Sequence, residues 1–148
     1  MKYDKILFLS HDNSTTGPMA EAIFKNICKL PELTITARGA VVLFETPINP
    51  KVEVVLGSHG LTPVSGTTRP LTEKDFTSST LVLAIGQPEL EFFRERYPLI
   101  NAARLNEFVG APEITDPHGG SLIDYENCFA QLSVMLKKLE IMIEEQQQ

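Results

Sequence analysis

The sequence predicts an α/β domain of three layers: a central, mainly parallel sheet of four to five strands with helices on both faces. Three observations carry this. Short apolar runs alternate with helix-like patterns along the chain. Leu81 to Ile85 is continuously apolar, as a strand covered on both faces must be. An apolar strand near the N-terminus runs through a short polar loop straight into a helix.

Taken in order, Lys5 to Leu9 reads as a buried strand. A helix follows from Pro18 to about Lys29, with Met19, Ile23, Ile27 and Leu30 on one face and Pro18 as its first residue, where a missing N–H costs nothing. Pro31 ends it by disfavouring helical geometry in the residue before. Leu33 to Ala37 alternates as a second strand. Asn49-Pro50 is a cap followed by a first helical residue, opening a helix to about Leu56, and Gly57 and Gly60 offer stops. Thr72 begins a short acidic turn ending near Phe76. The strand at Leu81–Ile85 is followed by a helix from Pro88 that stops before Pro98, and a brief strand covers Arg104 and Leu105. The last helix spans Leu122 to Glu145, with Ser121 as cap and Asp124 three residues on. Its stripe of Leu122, Tyr125, Phe129, Leu132, Leu136, Leu139 and Ile143 steps by three and four, which gives one core-facing side. The tail Glu144–Gln148 is expected to fray.

A chain of 148 residues, 43% hydrophobic and 22% charged, fits one domain over residues 1–148 with a real core. The net charge of −6 argues against nucleic acid and against a membrane surface as partners. No stretch approaches transmembrane length, and the apolar run after Met1-Lys2-Tyr3-Asp4-Lys5 is too brief for a signal peptide. Cys28 and Cys128, far apart, give neither a disulfide framework nor metal-ligand spacing, so a reducing, cytoplasmic location is expected. Both thiols read as core packing inside helical stretches.

The most informative stretch is Ile6-Leu7-Phe8-Leu9-Ser10-His11-Asp12-Asn13-Ser14-Thr15-Thr16-Gly17-Pro18-Met19-Ala20-Glu21-Ala22. A strand–loop–helix junction of this kind points several backbone N–H groups at one spot, where the helix dipole also favours negative charge. In a parallel sheet such a loop lies in the crevice beyond the carboxyl ends of the strands. The stretch resembles the catalytic loop of the low-molecular-weight protein tyrosine phosphatases, whose signature is Cys, five residues, Arg, then Ser or Thr and Pro-Met-Ala. Asn13 and the Pro18–Ala22 run keep the family's spacing. Asp116-Pro117, followed by Gly119-Gly120 and Tyr125, is a second match, and Arg69-Pro70-Leu71-Thr72, Leu81–Ala84 and Asn106-Glu107-Phe108 extend the likeness over nearly the whole chain.

The resemblance implies roles by position. Ser10 stands at the nucleophile position, Thr16 at that of the arginine, Gly17 at that of the following Ser or Thr, and Asp116 at that of the general acid. His11, Asp12, Asn13, Ser14, Thr15 and Gly17 form the anion-binding loop, and Pro117 and His118 the rim of the crevice. Asp12 replaces the usual Gly, and its carboxylate either repels a phosphate dianion or points outward to solvent. Thr15 falls where some members carry a second cysteine. Arg69 is read as supporting the loop or, more conservatively, as a surface ion pair; Arg94 and Arg96, beside Glu91 and Glu95, form a solvated face.

The family's chemistry needs a thiolate, which a serine hydroxyl does not supply at neutral pH, and a guanidinium clamp, which Thr16 does not supply. The expectation is therefore a pseudophosphatase, with a binding or regulatory role at the former phosphate-loop crevice. The alternative is a hydrolase with residual or altered phosphotyrosine phosphatase activity, using Asp116 as general acid. Arsenate reduction, known on the same scaffold, needs the same loop cysteine and further thiols. The expected partners are a phosphoprotein or another protein, with a weak phosphate or sulfate site at the loop. No cofactor is expected. His11 and Asp12 on one loop and Asp116 and His118 on the other could converge, but their spacing is not a metal signature, and no metal is expected.

Overall fold

The computed structural model of the chain describes residues 2–147. Strands β1 (Lys5–Ser10), β2 (Thr34–Gly39), β3 (Thr80–Ala84) and β4 (Asn101–Arg104) alternate with helices α1 (Thr16–Ile27), α2 (Pro50–Ser58), α3 (Gln87–Arg96), α4 (Leu105–Val109) and α5 (Leu122–Gln147). The four strands form one sheet in the order β2-β1-β3-β4, with every pairing parallel. Because β2 lies on one side of β1 and β3 on the other, the winding reverses at β1. The carboxyl end of β1 is therefore the topological switch point, where crevices open in such sheets.

Side-chain alternation along β1 explains its unbroken apolar run. Ile6 and Phe8 face one side of the sheet with Leu81, Leu83 and residues of α1, α2 and α5, whereas Leu7 and Leu9 face the other with Val82, Leu90, Phe93 and Phe76. The first core is the larger. In it Phe8 meets Phe24 edge-on, their ring centroids 5.8 Å apart, and α5 contributes Tyr125, Phe129, Leu132, Leu136, Leu139 and Ile143. Leu122, expected on that stripe, is exposed, because the first turn of α5 projects beyond the core. The second core is an aromatic knot of Phe76, Phe93 and Tyr97.

Several boundaries move for local reasons. α1 begins at Thr16, so Pro18 is its third residue; the missing N–H still falls among the first four, which have no partner within the helix. The helix ends at Ile27, and Cys28 is extended with its N–H on Phe24 O at 2.9 Å. Cys28 is thus a half-buried cap residue rather than a helical one, while Cys128 is buried within α5. β2 starts one residue late and runs on to Gly39. α2 passes through Gly57 and ends at Ser58, with Gly60 beyond it at φ 75°. Its cap is as expected, the Asn49 side chain accepting the Lys51 N–H at 2.9 Å. The acidic turn at Glu73–Asp75 is a 3-10 turn closed by a reciprocal Thr72–Asp75 capping box. The brief strand predicted at Arg104 and Leu105 is instead Asn101–Arg104, and Leu105 opens the short α4, which Gly110 terminates at φ 71°. α5 continues to Gln147; Gln148 of the tail expected to fray lies outside the described residues. Among the described residues, no helix is long and apolar enough to cross a membrane.

One buried carboxyl carries a measurable consequence. Glu140 of α5 accepts the Lys29 N–H with Oε2 at 3.2 Å, while its Oε1 is buried without a partner among the described residues. Burial first, then the neighbouring Glu144, raises its pKa above the ordinary carboxylate value. The folded chain therefore holds this proton more tightly than the unfolded one, and the residue's contribution to stability falls as pH rises from the unfolded to the folded pKa. Glu140→Gln, which keeps the acceptor for Lys29, is expected to raise the melting temperature at neutral pH. The gain should vanish at acid pH, where the native carboxyl is protonated. Equal melting temperatures at neutral pH contradict the assignment.

Candidate functional site

The loop that leaves β1 is held from several sides. Ser10 O accepts the Ala40 N–H at 2.9 Å, His11 O the Val41 N–H at 2.8 Å and Ser14 O the Asn49 N–H at 3.0 Å. Asn13 sits at φ 61°, a left-handed conformation that asparagine tolerates. Its side chain is fully buried, and Oδ1 accepts the Arg69 N–H at 3.1 Å. Gly39 at the end of β2 lets the loop lie against the sheet: a Cβ there would stand 2.8 Å from the backbone carbon of Asp12 and 3.0 Å from Asn13 N. Beneath the loop, the Arg69 Nη2 donates to both carboxylate oxygens of Glu21, at 2.7 and 3.0 Å, and Glu21 is 1% exposed. Arg69 thus supports the loop twice, through its backbone and through a buried ion pair, and the surface-pair reading is corrected. The sequence carried a signal for this pair in the Glu21 of the Pro18–Ala22 run.

Within the loop, the Ser10 Oγ accepts the Asn13 N–H at 3.2 Å. Asp12 Oδ1 accepts both the Ser14 N–H, at 3.1 Å, and the Ser14 hydroxyl, at 2.7 Å. The Asp12 carboxylate is therefore folded back onto the loop and occupies one of its donors. The N–H groups of Thr15, Thr16 and Gly17, at the start of α1, meet no acceptor among the described residues. A Cβ on Gly17 would lie 2.6 Å from Ser10 Oγ and 3.3 Å from Asn13 Nδ2, which is itself buried without a partner among the described residues.

Ser10, His11, Asp12, Ser14, Thr15 and Thr16 share a crevice of about 390 Å³ with Asp116 and His118 from the distant loop. Residues following β3 and β4 complete it, as the switch-point geometry requires. Three expected site residues do not line this crevice: Asn13 and Gly17 lie beneath the loop, and Pro117 is buried on the far side of its own turn. Asp116 is exposed and accepts the His118 N–H with Oδ1 at 3.0 Å, a local cap of its loop.

The crevice also holds acidic groups that sequence reasoning missed. Glu89, from the first turn of α3, and Glu113 line it, and Glu113 is ion-paired with Arg104. Neither residue follows a motif, and only the folding of separate strand ends into one mouth brings them together. Arg94 and Arg96 are exposed, as expected; Arg94 Nη2 donates to Ala102 O at 3.0 Å and Arg96 stacks over Phe92 at 3.9 Å. Among the described residues, no group of three or more His, Cys, Asp or Glu is placed to hold a metal ion. Neither thiol replaces a loop nucleophile. Burial, with a smaller effect of Asp116, pushes the Cys128 pKa up to about 12, and burial raises that of Cys28, so both are protonated at neutral pH.

A strand–loop–helix junction at the switch point of a parallel sheet defines a class of α/β proteins that meet their ligands at a helix N-terminus. Comparison with known proteins narrows the class. Residues 5–148 match the low molecular weight phosphotyrosine protein phosphatase family, and the chain belongs to it. Among relatives, the protein-arginine-phosphatase of Bacillus subtilis is 32% identical over 144 residues, covering 90% of this chain and 93% of its own. The low molecular weight protein-tyrosine-phosphatase PtpB of Staphylococcus haemolyticus is 28% identical over 136 residues, covering 91% and 96%. Among solved structures, a YwlE mutant from Bacillus subtilis superposes with a TM-score of 0.86 at 25% identity, covering 95% of this chain and 98% of that one. A cysteine-to-serine mutant of the YwlE arginine phosphatase, described as carrying a phosphorylated active-site serine, gives 0.84 at 25% identity, with 95% of each chain covered.

Proposed function

We propose that this chain is a pseudophosphatase: a family member without cysteine-dependent phosphatase activity that binds a protein partner at the crevice beside the β1–α1 loop. The observation that carries the reading is the pair of hydroxyls, Ser10 and Thr16, in the two positions that the family signature gives to cysteine and arginine. A serine hydroxyl in a helix N-terminal loop stays protonated at neutral pH and needs a base or a metal to attack phosphorus. In Ser10 the oxygen is already engaged by the Asn13 N–H. An arginine clamp in phosphoryl transfer is worth on the order of 10³–10⁵ in rate, roughly 4–7 kcal/mol of barrier, and Thr16 offers one neutral hydroxyl instead. With no thiolate elsewhere, neither loss is made good.

The partner class is a phosphoprotein or another protein, and the two distant, unpaired cysteines favour a cytoplasmic setting. In a steady-state assay with phosphotyrosine and phosphoarginine peptides, the purified protein and its Ser10→Ala variant are expected to release phosphate at the same background rate. Release by the unaltered chain that disappears with Ser10→Ala overturns the reading.

A second reading, residual phosphomonoester hydrolysis with Asp116 as general acid, is favoured by one finding: in the YwlE arginine phosphatase mutant a serine carries a phosphoryl group. Transferred to Ser10, such an adduct would be hydrolysed only slowly, because the serine oxygen is a poor leaving group, and it would accumulate during residual turnover. Intact-mass measurement after incubation with an aryl phosphate separates the two, because only the second reading leaves a phosphoryl group on Ser10.

A further inference from the structure

The charge lining the crevice is the reverse of what a phosphate site needs. Asp12, Glu89, Glu113 and Asp116 face it together with a single guanidinium, that of Arg104, which is paired with Glu113. Among the described residues, the other three carboxylates have no cationic partner. Against them stand the unfilled N–H groups at the start of α1, equivalent to about half a positive charge. The balance is strongly negative, and a phosphate dianion would be repelled. A second, independent feature points the same way. Thr16 is 8% exposed and lines the crevice, yet its hydroxyl has no hydrogen-bond partner among the described residues. It can accept from an N–H donor that enters.

A third feature lies next door. Asp12 lines both the crevice and an adjoining hollow whose other wall is apolar. Leu43 and Phe44 on that wall are 81% and 80% exposed, and Val41 adds to the same patch. Two large apolar side chains so fully in water, side by side at the mouth of a site, mark a contact surface. The two hollows meet at Asp12, so one segment can fill both.

We propose that the crevice binds a basic side chain, lysine or arginine, of a protein segment whose neighbouring apolar residue rests on Leu43 and Phe44. This rests on the reading of the chain as a binding protein, and it names the ligand. The nitrogen cation is held by Asp12, Glu89 and Asp116 and donates to Thr16. Both lysine and arginine satisfy that chemistry, and arginine, with five donors, engages more of the carboxylates at once.

The test is fluorescence polarisation of the full chain with four labelled heptapeptides that differ at their two central residues: leucine–lysine, leucine–arginine, serine–lysine and leucine–phosphotyrosine. The first two are expected to bind saturably and to weaken with added salt. They should lose about tenfold in affinity to a chain carrying both Glu89→Gln and Asp116→Asn. The serine–lysine peptide should bind less well than leucine–lysine. In a chain with Leu43→Ser and Phe44→Ser, both exposed positions, that difference should disappear. Tighter binding of the phosphotyrosine peptide, indifference of the basic peptides to loss of the carboxylates, or no binding by any peptide overturns the proposal. If the phosphotyrosine peptide binds and is not cleaved, only the cationic ligand falls. If it is cleaved and Ser10→Ala abolishes cleavage, the binding-protein reading falls with it.

Discussion

A chain carrying Ser10→Cys and Thr16→Arg together is expected to hydrolyse an aryl phosphate about 10³-fold or more faster than the unaltered chain. The scaffold for this is in place. Residue 10 ends a buried strand beneath the first turn of α1, and three N–H groups at that turn are unfilled. A thiol placed there is pulled toward thiolate by the same N–H groups and by an adjacent arginine. Thr16 lines the crevice, so a guanidinium at that position extends into open space rather than into the core. Each single substitution should stay near background, because nucleophile and clamp act as a unit. Adding Asp12→Gly should raise the rate further, since it frees the Ser14 N–H and removes a carboxylate from the mouth. A triple variant that keeps its fold by circular dichroism and still fails to turn over contradicts the view that residues 10 and 16 are the defect.

Arg69→Met is expected to destabilise the protein by about 3 kcal/mol, enough to lower the melting temperature by roughly 6–12 °C in a chain of this size. Glu21 lies in the buried first turns of α1, and among the described residues the Arg69 guanidinium is the one cation paired with it, both carboxylate oxygens being engaged. Removing the arginine leaves a desolvated charge without compensation, which is the costly way to break such a pair. The double variant Glu21→Leu with Arg69→Met removes the charge as well and should recover most of the loss. Failure of the double variant to recover would mean that the cost lies in the strap around residue 69 instead. That strap is itself tied down, with Arg69 O accepting the Gly39 N–H at 2.9 Å and Arg69 N donating to Asn13. The pair thus links the stability of α1 to the shape of the loop.

How far the residues alone led follows from the range of the interactions involved. Strand and helix identities were legible because they rest on local periodicity: the run at Leu81–Ala84 is apolar since α1 and α5 cover one face and α3 the other. Ends were less legible. Pro18 marked a helix start correctly in kind, but the helix begins two residues earlier, at Thr16, with the Met19 N–H bonded to Thr15 O at 3.3 Å. The strand expected at Arg104 and Leu105 fell short because Leu105 opens α4, a five-residue helix that packs against α5. At the site, the alternation of strands and helices placed the Ser10–Gly17 loop at a crevice, the family resemblance placed the Asp116 loop across from it, and eight of the expected residues line that crevice. Glu89, Glu113, Leu43 and Phe44 carried no such signal. Leu43 and Phe44 come from the β2–α2 connection, Glu89 from the first turn of α3 and Glu113 from the α4–α5 connection, and only the convergence of strand ends at the switch point brings them to one mouth.

The orientation of Asp12 was undecidable from residue types, and the structure decides it: the carboxylate turns back to the Ser14 N–H and hydroxyl. An internal carboxylate in the cradle, with hydroxyls at the positions of thiolate and guanidinium, is the feature from which the proposed function is argued. The proposed function requires that no phosphoryl group be transferred to Ser10. The most direct measurement is a single-turnover experiment: protein in excess over a phosphotyrosine peptide, quenched over hours, with both free phosphate and phosphoryl-protein quantified. Neither product is expected above the level given by Ser10→Ala; either one, formed by the unaltered chain and lost with that substitution, overturns the proposed function.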